Sequence, residues 1–271
     1  MKRIFLTGAS AGIGLATAKL LAERGDEVWG TSRDISRLPS LPRFHPVRLE
    51  LNETVSLGET FNAALAEAGH FDVVINNAGD IAYFGPMESL SLETLRAQFQ
   101  TLVFAHIELY RLALAAMRTR GSGRIINVTS LAARLPVPFQ GPYNAAKAAM
   151  ASLTMSMQVE LEGSGIRIID VQPSDIRDTR LHDAIPENFR GDRPHSSGME
   201  RVWRVANGNI KAAPGPELVA RRIAKVIDAN NPPPRVTVGG AFEATIAPLI
   251  FRFLPQRLRI WGLKFYYKLL H

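Results

Sequence analysis

The sequence predicts an α/β protein: a doubly wound parallel sheet in a single domain, with an apolar, basic segment appended at the C-terminus. Three observations predict it. Short apolar runs of strand length alternate with helical patterns along most of the chain, as in parallel sheets covered by helices on both faces. The first strand-like run meets the first helical pattern through a glycine-rich turn, "TGASAGIG" at 7–14. No internal repeat or low-complexity linker divides the 271 residues, and a hydrophobic share of 46% supports a sizeable core.

"RIFLTG" (3–8) reads as a short buried strand, and "GIGLATAKLLAERG" (12–25) as a helix closed by Gly25. Further strands are expected at 27–32 ("EVWGTS"), 44–51 ("FHPVRLEL"), 71–79 ("FDVVINNAG"), 123–130 ("GRIINVTS"), 165–173 ("GIRIIDVQP") and 235–240 ("RVTVGG"). Helical patterns separate them, the two longest at about 92–119 and 142–163. Residues 177–215, with several Gly, Pro and polar residues, read as a substrate lobe above the sheet. Residues 1–241 then form the main domain and 242–271 the extension.

Composition narrows the function. There is no cysteine, which excludes disulfides, thiolate catalysis and cysteine zinc sites. The six histidines are scattered without metal-ligand spacing, so no metal centre is expected. The net charge is +7, but Arg252, Arg257, Arg259, Lys264 and Lys268, with no acid in 248–271, supply five of those charges. The rest is nearly balanced, so no nucleic-acid partner is expected. The apolar run after "MKR" is too short for a signal peptide, and no apolar stretch reaches the length of about 18 residues that a membrane span needs. A cytoplasmic location is expected.

"GPYNAAKAAM" (141–150) sets Tyr143 and Lys147 four residues apart in an alanine-rich helical run that starts at a proline. Residues at this spacing share a helical face. A nearby ammonium favours phenolate, which would lower the tyrosine pKa from about 10 and suit Tyr143 to proton exchange near neutral pH. In "TGASAGIG", Gly8 permits a tight turn, Gly12 lets a pyrophosphate approach the backbone, and Gly14 allows close helix–strand packing. Helix N-terminal amides would face the phosphates.

These motifs, with N-N-A-G at 76–79 and Ser130 placed 13 residues before Tyr143, occur in the order found in classical short-chain dehydrogenases/reductases, which the chain resembles along nearly its whole length. The resemblance implies a Rossmann-type fold and hydride transfer between a nicotinamide and a carbonyl or alcohol. It makes Tyr143 the acid, or the base in reverse. Lys147 tunes that phenol and binds the nicotinamide ribose, and Ser130 donates to the developing oxyanion. It also implies that Ser10, Ile13, Asn77, Ala78, Gly79, Pro173 and Ile176 border the cofactor with Gly8, Gly12 and Gly14, and that Glu50 lies near the adenine. Ser32 stands where an NAD-binding acid would end the second strand, and Arg33 follows; a guanidinium there suits the 2′-phosphate of NADP. NADP is therefore the expected cofactor. A frame two residues on makes Asp34 the acid of an NAD site.

Two positions depart from the family pattern. Leu102 occupies the place of an asparagine said to support a water beside the lysine, with Thr101 and His106 as nearby candidates for its role. Ser174 replaces the usual glycine after Pro173, and the usual threonine is displaced to Thr179 or lost. The departure at Leu102 keeps open a second function class, a non-catalytic cofactor-binding sensor or membrane-surface scaffold. Leu135, Val137, Phe139, Tyr83 and Phe84 suggest an apolar substrate, and no acid or base cluster for a polar one is evident. In the tail, Leu258, Trp261, Phe265 and Leu269 would line one helical face and Arg257, Lys264 and Lys268 another. Such a helix suits a membrane interface, or equally a lid over the cleft or a dimer contact. It is similar to the apolar extensions of hydroxysteroid- and retinol-type members of the family. A homodimer or homotetramer through the two long helices is the expected assembly.

Overall fold

A computed structural model of the chain describes residues 1–179, 196–240 and 242–270, so residues 180–195 of the expected substrate lobe lie outside the described residues. Strands β1 (Arg3–Leu6), β2 (Glu27–Ser32), β3 (Phe44–Arg48), β4 (Val73–Asn76), β5 (Gly123–Val128), β6 (Ile166–Pro173) and β7 (Arg235–Val238) form one parallel sheet in the order β3-β2-β1-β4-β5-β6-β7. Both faces are covered, which is why runs such as Ile4–Leu6 and Val73–Ile75 are apolar without alternation and fully buried. The strand order reverses between β1 and β4, so their C-terminal ends open a crevice where ligands bind in such sheets.

Helices α1 (Gly12–Glu23), α2 (Thr54–Ala68), α3 (Leu92–Phe99), α4 (Ala105–Arg120), α5 (Gly141–Glu160), α6 (Ser196–Ala212) and α7 (Pro216–Asp228) accompany the sheet. Ala18 and Leu21 of α1 pack with Val219 and Ile223 of α7 on one face. Leu57 and Phe61 of α2, Leu109 and Met117 of α4 and Met150 of α5 cover the other. A buried polar network pins this second layer. Asn76 Nδ2 donates to Asn127 Oδ1 at 3.0 Å, and Asn127 Nδ2 donates to Thr154 Oγ1 at 2.8 Å.

The uninterrupted helix expected over 92–119 is instead broken. A π-helical turn, Gln100–Phe104, separates α3 from α4. The extra residue per turn rotates the face of the helix, so Leu102 is fully buried while Phe104 is exposed. At the C-terminus, a further π-helical turn (Phe242–Ile246) leads into α8 (Ala247–Phe253), and Pro255 separates α8 from α9 (Gln256–Tyr266). Arg259 closes the junction by donating to the Leu254 carbonyl at 2.7 Å and the Arg252 carbonyl at 2.8 Å.

Candidate active site

The crevice is a cavity of about 830 Å³ that runs from the end of β2, past the glycine turn and Tyr143, to α8 and α9. The turn is built by close contacts. Gly8 has φ +72°, and a Cβ on Gly14 would lie 1.9 Å from the Gly8 carbonyl oxygen. Asn77 Nδ2 donates to the Thr7 carbonyl at 2.9 Å, and Thr7 Oγ1 accepts from the Asn77 and Ala78 amides at 2.9 and 3.0 Å. N-N-A-G thus braces the turn as well as bordering the cavity. No side chain caps α1, and Ser10, Gly12, Ile13 and Gly14 line the cavity at its N-terminus. An uncapped helix end beside a cradle too narrow for a Cβ fits the pyrophosphate of a dinucleotide. Thr179 touches this turn, its Cα 3.3 Å from where a Gly12 Cβ would be. Pro173 and Ile176 complete the wall.

At the far end of the turn, Ser32, Arg33 and Glu50 line the cavity together with Arg37, which sequence reasoning missed. Asp34 is not among the lining residues. Its carboxylate accepts from the Ser36 amide at 3.0 Å and the Ser36 hydroxyl at 2.7 Å, capping the short turn Ile35–Arg37. That turn brings Arg37 to the same cavity wall as Arg33. Asx-type capping was the signal that could have found it.

Ser130, Tyr143 and Lys147 come together in the cavity wall. Ser130 follows β5 and accepts from the Ala132 amide at 3.1 Å, which leaves its hydroxyl proton to donate. Tyr143, in the first turn of α5, lies close enough to Ser130 to feel its hydroxyl. Lys147, one turn on, donates to the Val128 carbonyl at 2.9 Å and sits 5.7 Å from the centre of the Tyr143 ring. The expected lowering of the tyrosine pKa by the lysine is not what burial produces in the protein alone. Desolvation pushes Tyr143 up to about 12 against the pull of the Ser130 hydroxyl, with the charge of Asp175 adding to it. Desolvation also draws Lys147 down to about 8, against the charges of Asp170 and Asp80. Both groups lose more hydration than their neighbours restore, so Tyr143 is a protonated phenol at neutral pH.

Leu102 packs onto Gly79: a Cβ there would lie 2.3 Å from Leu102 Cδ2 and 3.9 Å from Lys147 Nζ. Of the two candidates for the asparagine's role, Thr101 lines the cavity but its hydroxyl donates to Asn52 at 2.8 Å. His106 is buried, bonds the Leu102 carbonyl, and feels the charge of Lys147. Desolvation first, and that charge second, draw its pKa down to about 3, so it is neutral.

On the substrate side, Leu135 and Val137 line the cavity as expected. Phe139, Tyr83 and Phe84 do not. Phe84 packs against Phe139 and Trp203, with ring centres 6.0 and 5.3 Å apart, and the Tyr83 hydroxyl bonds the Pro86 carbonyl. Their place is taken by Ile250 and Phe251 of α8, Leu254 at the junction and Leu263 of α9, which line the cleft. The expectation of a substrate side without an acidic cluster is also corrected. Asp175, Glu243 and Tyr266 line the cavity, and Asn209 Nδ2 beside them donates to the Tyr266 hydroxyl at 2.7 Å. Desolvation, reinforced by Glu243 and opposed by Asn209, pushes Asp175 up to about 6. These four residues come from separate segments between 175 and 266, so no local pattern announced them.

The profile of the short chain dehydrogenase family matches residues 2–189. A 3-ketodihydrosphingosine reductase from Bacteroides thetaiotaomicron is 28% identical over 97% of each chain. The ketoacyl reductase HetN from Nostoc is 33% identical over 85% of this chain and 79% of its own. A short-chain dehydrogenase from Streptomyces avermitilis superposes with a TM-score of 0.80 at 27% identity, covering 99% of this chain and 96% of that one. The same fold occurs in complexes with NADP from Burkholderia cenocepacia (TM-score 0.72, 23% identity, 96% of each chain) and with NAD from Burkholderia phymatum (0.80, 21%, 96% and 95%). The glycine turn, the grouping of Ser130, Tyr143 and Lys147 in one cavity wall, and these likenesses lead to one conclusion: the chain belongs to the short chain dehydrogenase family of oxidoreductases.

Proposed function

We propose that the protein is an NADP-dependent oxidoreductase that interconverts a hydrophobic ketone or aldehyde and its alcohol. The observation that carries this is the grouping of Ser130, Tyr143 and Lys147 in a cavity wall continuous with the glycine turn. When bound, the nicotinamide supplies or accepts the hydride. Gly8, Ser10, Gly12, Ile13, Gly14, Asn77, Ala78, Gly79, Pro173 and Ile176 would hold the dinucleotide. Arg33 and Arg37 would receive a 2′-phosphate, which favours NADP. In reduction, the Tyr143 hydroxyl donates its proton to the carbonyl oxygen while the Ser130 hydroxyl hydrogen-bonds the same oxygen. Lys147, protonated below about 8, stabilises the phenolate left behind. In oxidation the phenolate takes the proton from the alcohol.

The substrate's apolar part lies against Leu135, Val137, Ile250, Phe251, Leu254 and Leu263. The relatives that reduce a 3-ketodihydrosphingosine or a ketoacyl group suit this wall. Beside the opening, Leu249, Ile250, Phe253, Leu258, Ile260, Trp261 and Phe265 are all exposed in a segment with five cations and no acid. This arrangement supports peripheral contact with an anionic membrane surface on the cytoplasmic side. Exposed Phe104, Ile107, Met155 and Val159 on the outer faces around α4 and α5 support a homodimer or homotetramer there.

Titration with NADPH and NADH, followed by addition of long-chain ketones and aldehydes, tests the activity. NADPH-preferring turnover that is lost in Tyr143→Phe is the expected result. Failure to bind either nucleotide would overturn it.

A further inference from the structure

A second cavity, of about 340 Å³, lies at the edge of the sheet, where α7, the end of β7 and the π-helical turn Phe242–Ile246 meet. Arg221, Arg222 and Lys225 line it from α7. Their three- and four-residue spacing sets them on one face of the helix, opposite the buried Val219, Ile223 and Ile227. Thr237 lines the cavity from β7 and Thr245 from the π-helical turn, so the cationic face looks into a cleft. The Thr237 hydroxyl accepts from Arg134 Nη2 at 3.0 Å, which leaves its own proton to donate and brings a fourth cation to the site. Desolvation first, and the charge of Arg235 next, hold the Arg134 guanidinium below its usual range, with Asp170 opposing and Arg252 adding to the effect. No described residue of the lining is acidic. Of the acids on α7, Asp228 pairs with Arg24 at 2.9 Å and Glu217 folds back to Gly215.

Cations gathered in one cleft repel one another, and an anion seated among them relieves that repulsion. Guanidinium groups, an ammonium and hydroxyl donors make the donor set of a phosphate site: arginine offers paired N–H groups and lysine a point charge. The volume falls within the roughly 300–1,000 Å³ of pockets that hold small ligands. The surroundings decide where the phosphate comes from. The π-helical turn that closes the cleft carries the exposed Phe242 and leads into α8, where Leu249, Ile250 and Phe253 are exposed. A soluble phosphate ester would leave these apolar side chains in water, whereas a bilayer covers them while its phosphate fills the cleft. We infer that the cleft between α7 and the π-helical turn is a seat for the phosphate headgroup of an anionic phospholipid. The seat adds a specific binding site to the membrane contact proposed above. Phe242 and Ile250 also line the larger cavity, so a headgroup held in the cleft sets that cavity's rim against the membrane.

The test is co-sedimentation of the full chain with vesicles of phosphatidylglycerol mixed into phosphatidylcholine, titrated at about 0.1 M salt. One variant combines Arg221→Gln, Arg222→Gln and Lys225→Gln. A control combines Arg96→Gln, Arg118→Gln and Arg167→Gln, which removes the same charge from exposed positions on α3, α4 and β6. All six side chains are exposed, and matching thermal melts verify that both variants fold. A cation at an anionic surface strengthens binding about fivefold, so the cleft variant should bind on the order of a hundredfold more weakly. The control should stay within about twofold of wild type, because charges beyond a Debye length of about 10 Å are screened. Equal weakening of both variants would overturn the seat and leave a diffuse attraction. Wild-type binding by the cleft variant would overturn the seat alone, and absence of binding by the wild type would sink seat and membrane contact together. Glycerol 3-phosphate separates the two sources of phosphate. Tight calorimetric binding of it that is lost in the cleft variant, with no binding to vesicles, would overturn the lipid assignment in favour of a soluble ester. No arm needs turnover, so the oxidoreductase reading can fail without touching the seat.

Discussion

Gly79 and Leu102 should behave as one unit. Gly79 has no left-handed φ, so alanine is sterically allowed by its backbone. Its methyl would nevertheless sit 2.3 Å from Leu102 Cδ2, more than 1 Å inside ordinary carbon–carbon contact at about 3.5 Å. Leu102 is fully buried within a packed core and cannot swing away. Gly79→Ala should therefore cost about 1–3 kcal/mol by overpacking. Leu102→Ala should cost about 2–5 kcal/mol through lost burial and the cavity left behind. In the double variant the new methyl falls into that cavity, so the two costs do not add. The double should be no less stable than Leu102→Ala alone, with a coupling of about 1–3 kcal/mol between the sites. Urea denaturation of the four proteins without cofactor measures the cycle. Additivity within about 0.5 kcal/mol would refute the claim that Leu102 fills the space over Gly79 where the family pattern has asparagine.

Replacing Arg33 and Arg37 together by alanine should raise the KM for NADPH roughly tenfold or more and leave that for NADH nearly unchanged, because only NADPH carries the 2′-phosphate; equal losses for both would remove the phosphate assignment. Lys147, drawn down to about 8, is protonated below that value and neutral above it, so the kcat for reduction should be level near pH 7 and fall as pH rises through about 8. A reduction rate that climbs through pH 8 would contradict the sign. Trp261→Ser with Phe265→Ser should weaken co-sedimentation with phosphatidylglycerol vesicles, and raised salt should weaken the wild type as well. Equal recovery with neutral phosphatidylcholine vesicles would exclude an electrostatic contact.

The sequence by itself determined the parallel sheet and the pairing of Tyr143 with Lys147 on one helical face, because both are written in short-range pattern. Apolar runs buried on both faces mark each strand, and the spacing of Tyr143 and Lys147 puts them on one turn of α5. The glycines of 7–14 are legible in the same way from their spacing, although the atoms that exclude a Cβ there come partly from Asn77 and Ala78 after β4 and, at Gly12, from Thr179. What only the tertiary structure decided depends on contacts between distant segments. Tyr143 and Lys147 share a face as expected, but the layers that bury them set their pKa values through desolvation, which no spacing records. The π-helical turn at Gln100–Phe104 turns Leu102 onto Gly79, twenty-odd residues upstream, and Thr101 toward Asn52. The substrate wall changed most: Phe84 and Phe139 went into packing with Trp203, and α8 and α9 folded back to replace them. Asp175, Asn209, Glu243 and Tyr266 meet only because the chain closes over the ends of the strands, and a pattern read along the chain has no term for that approach.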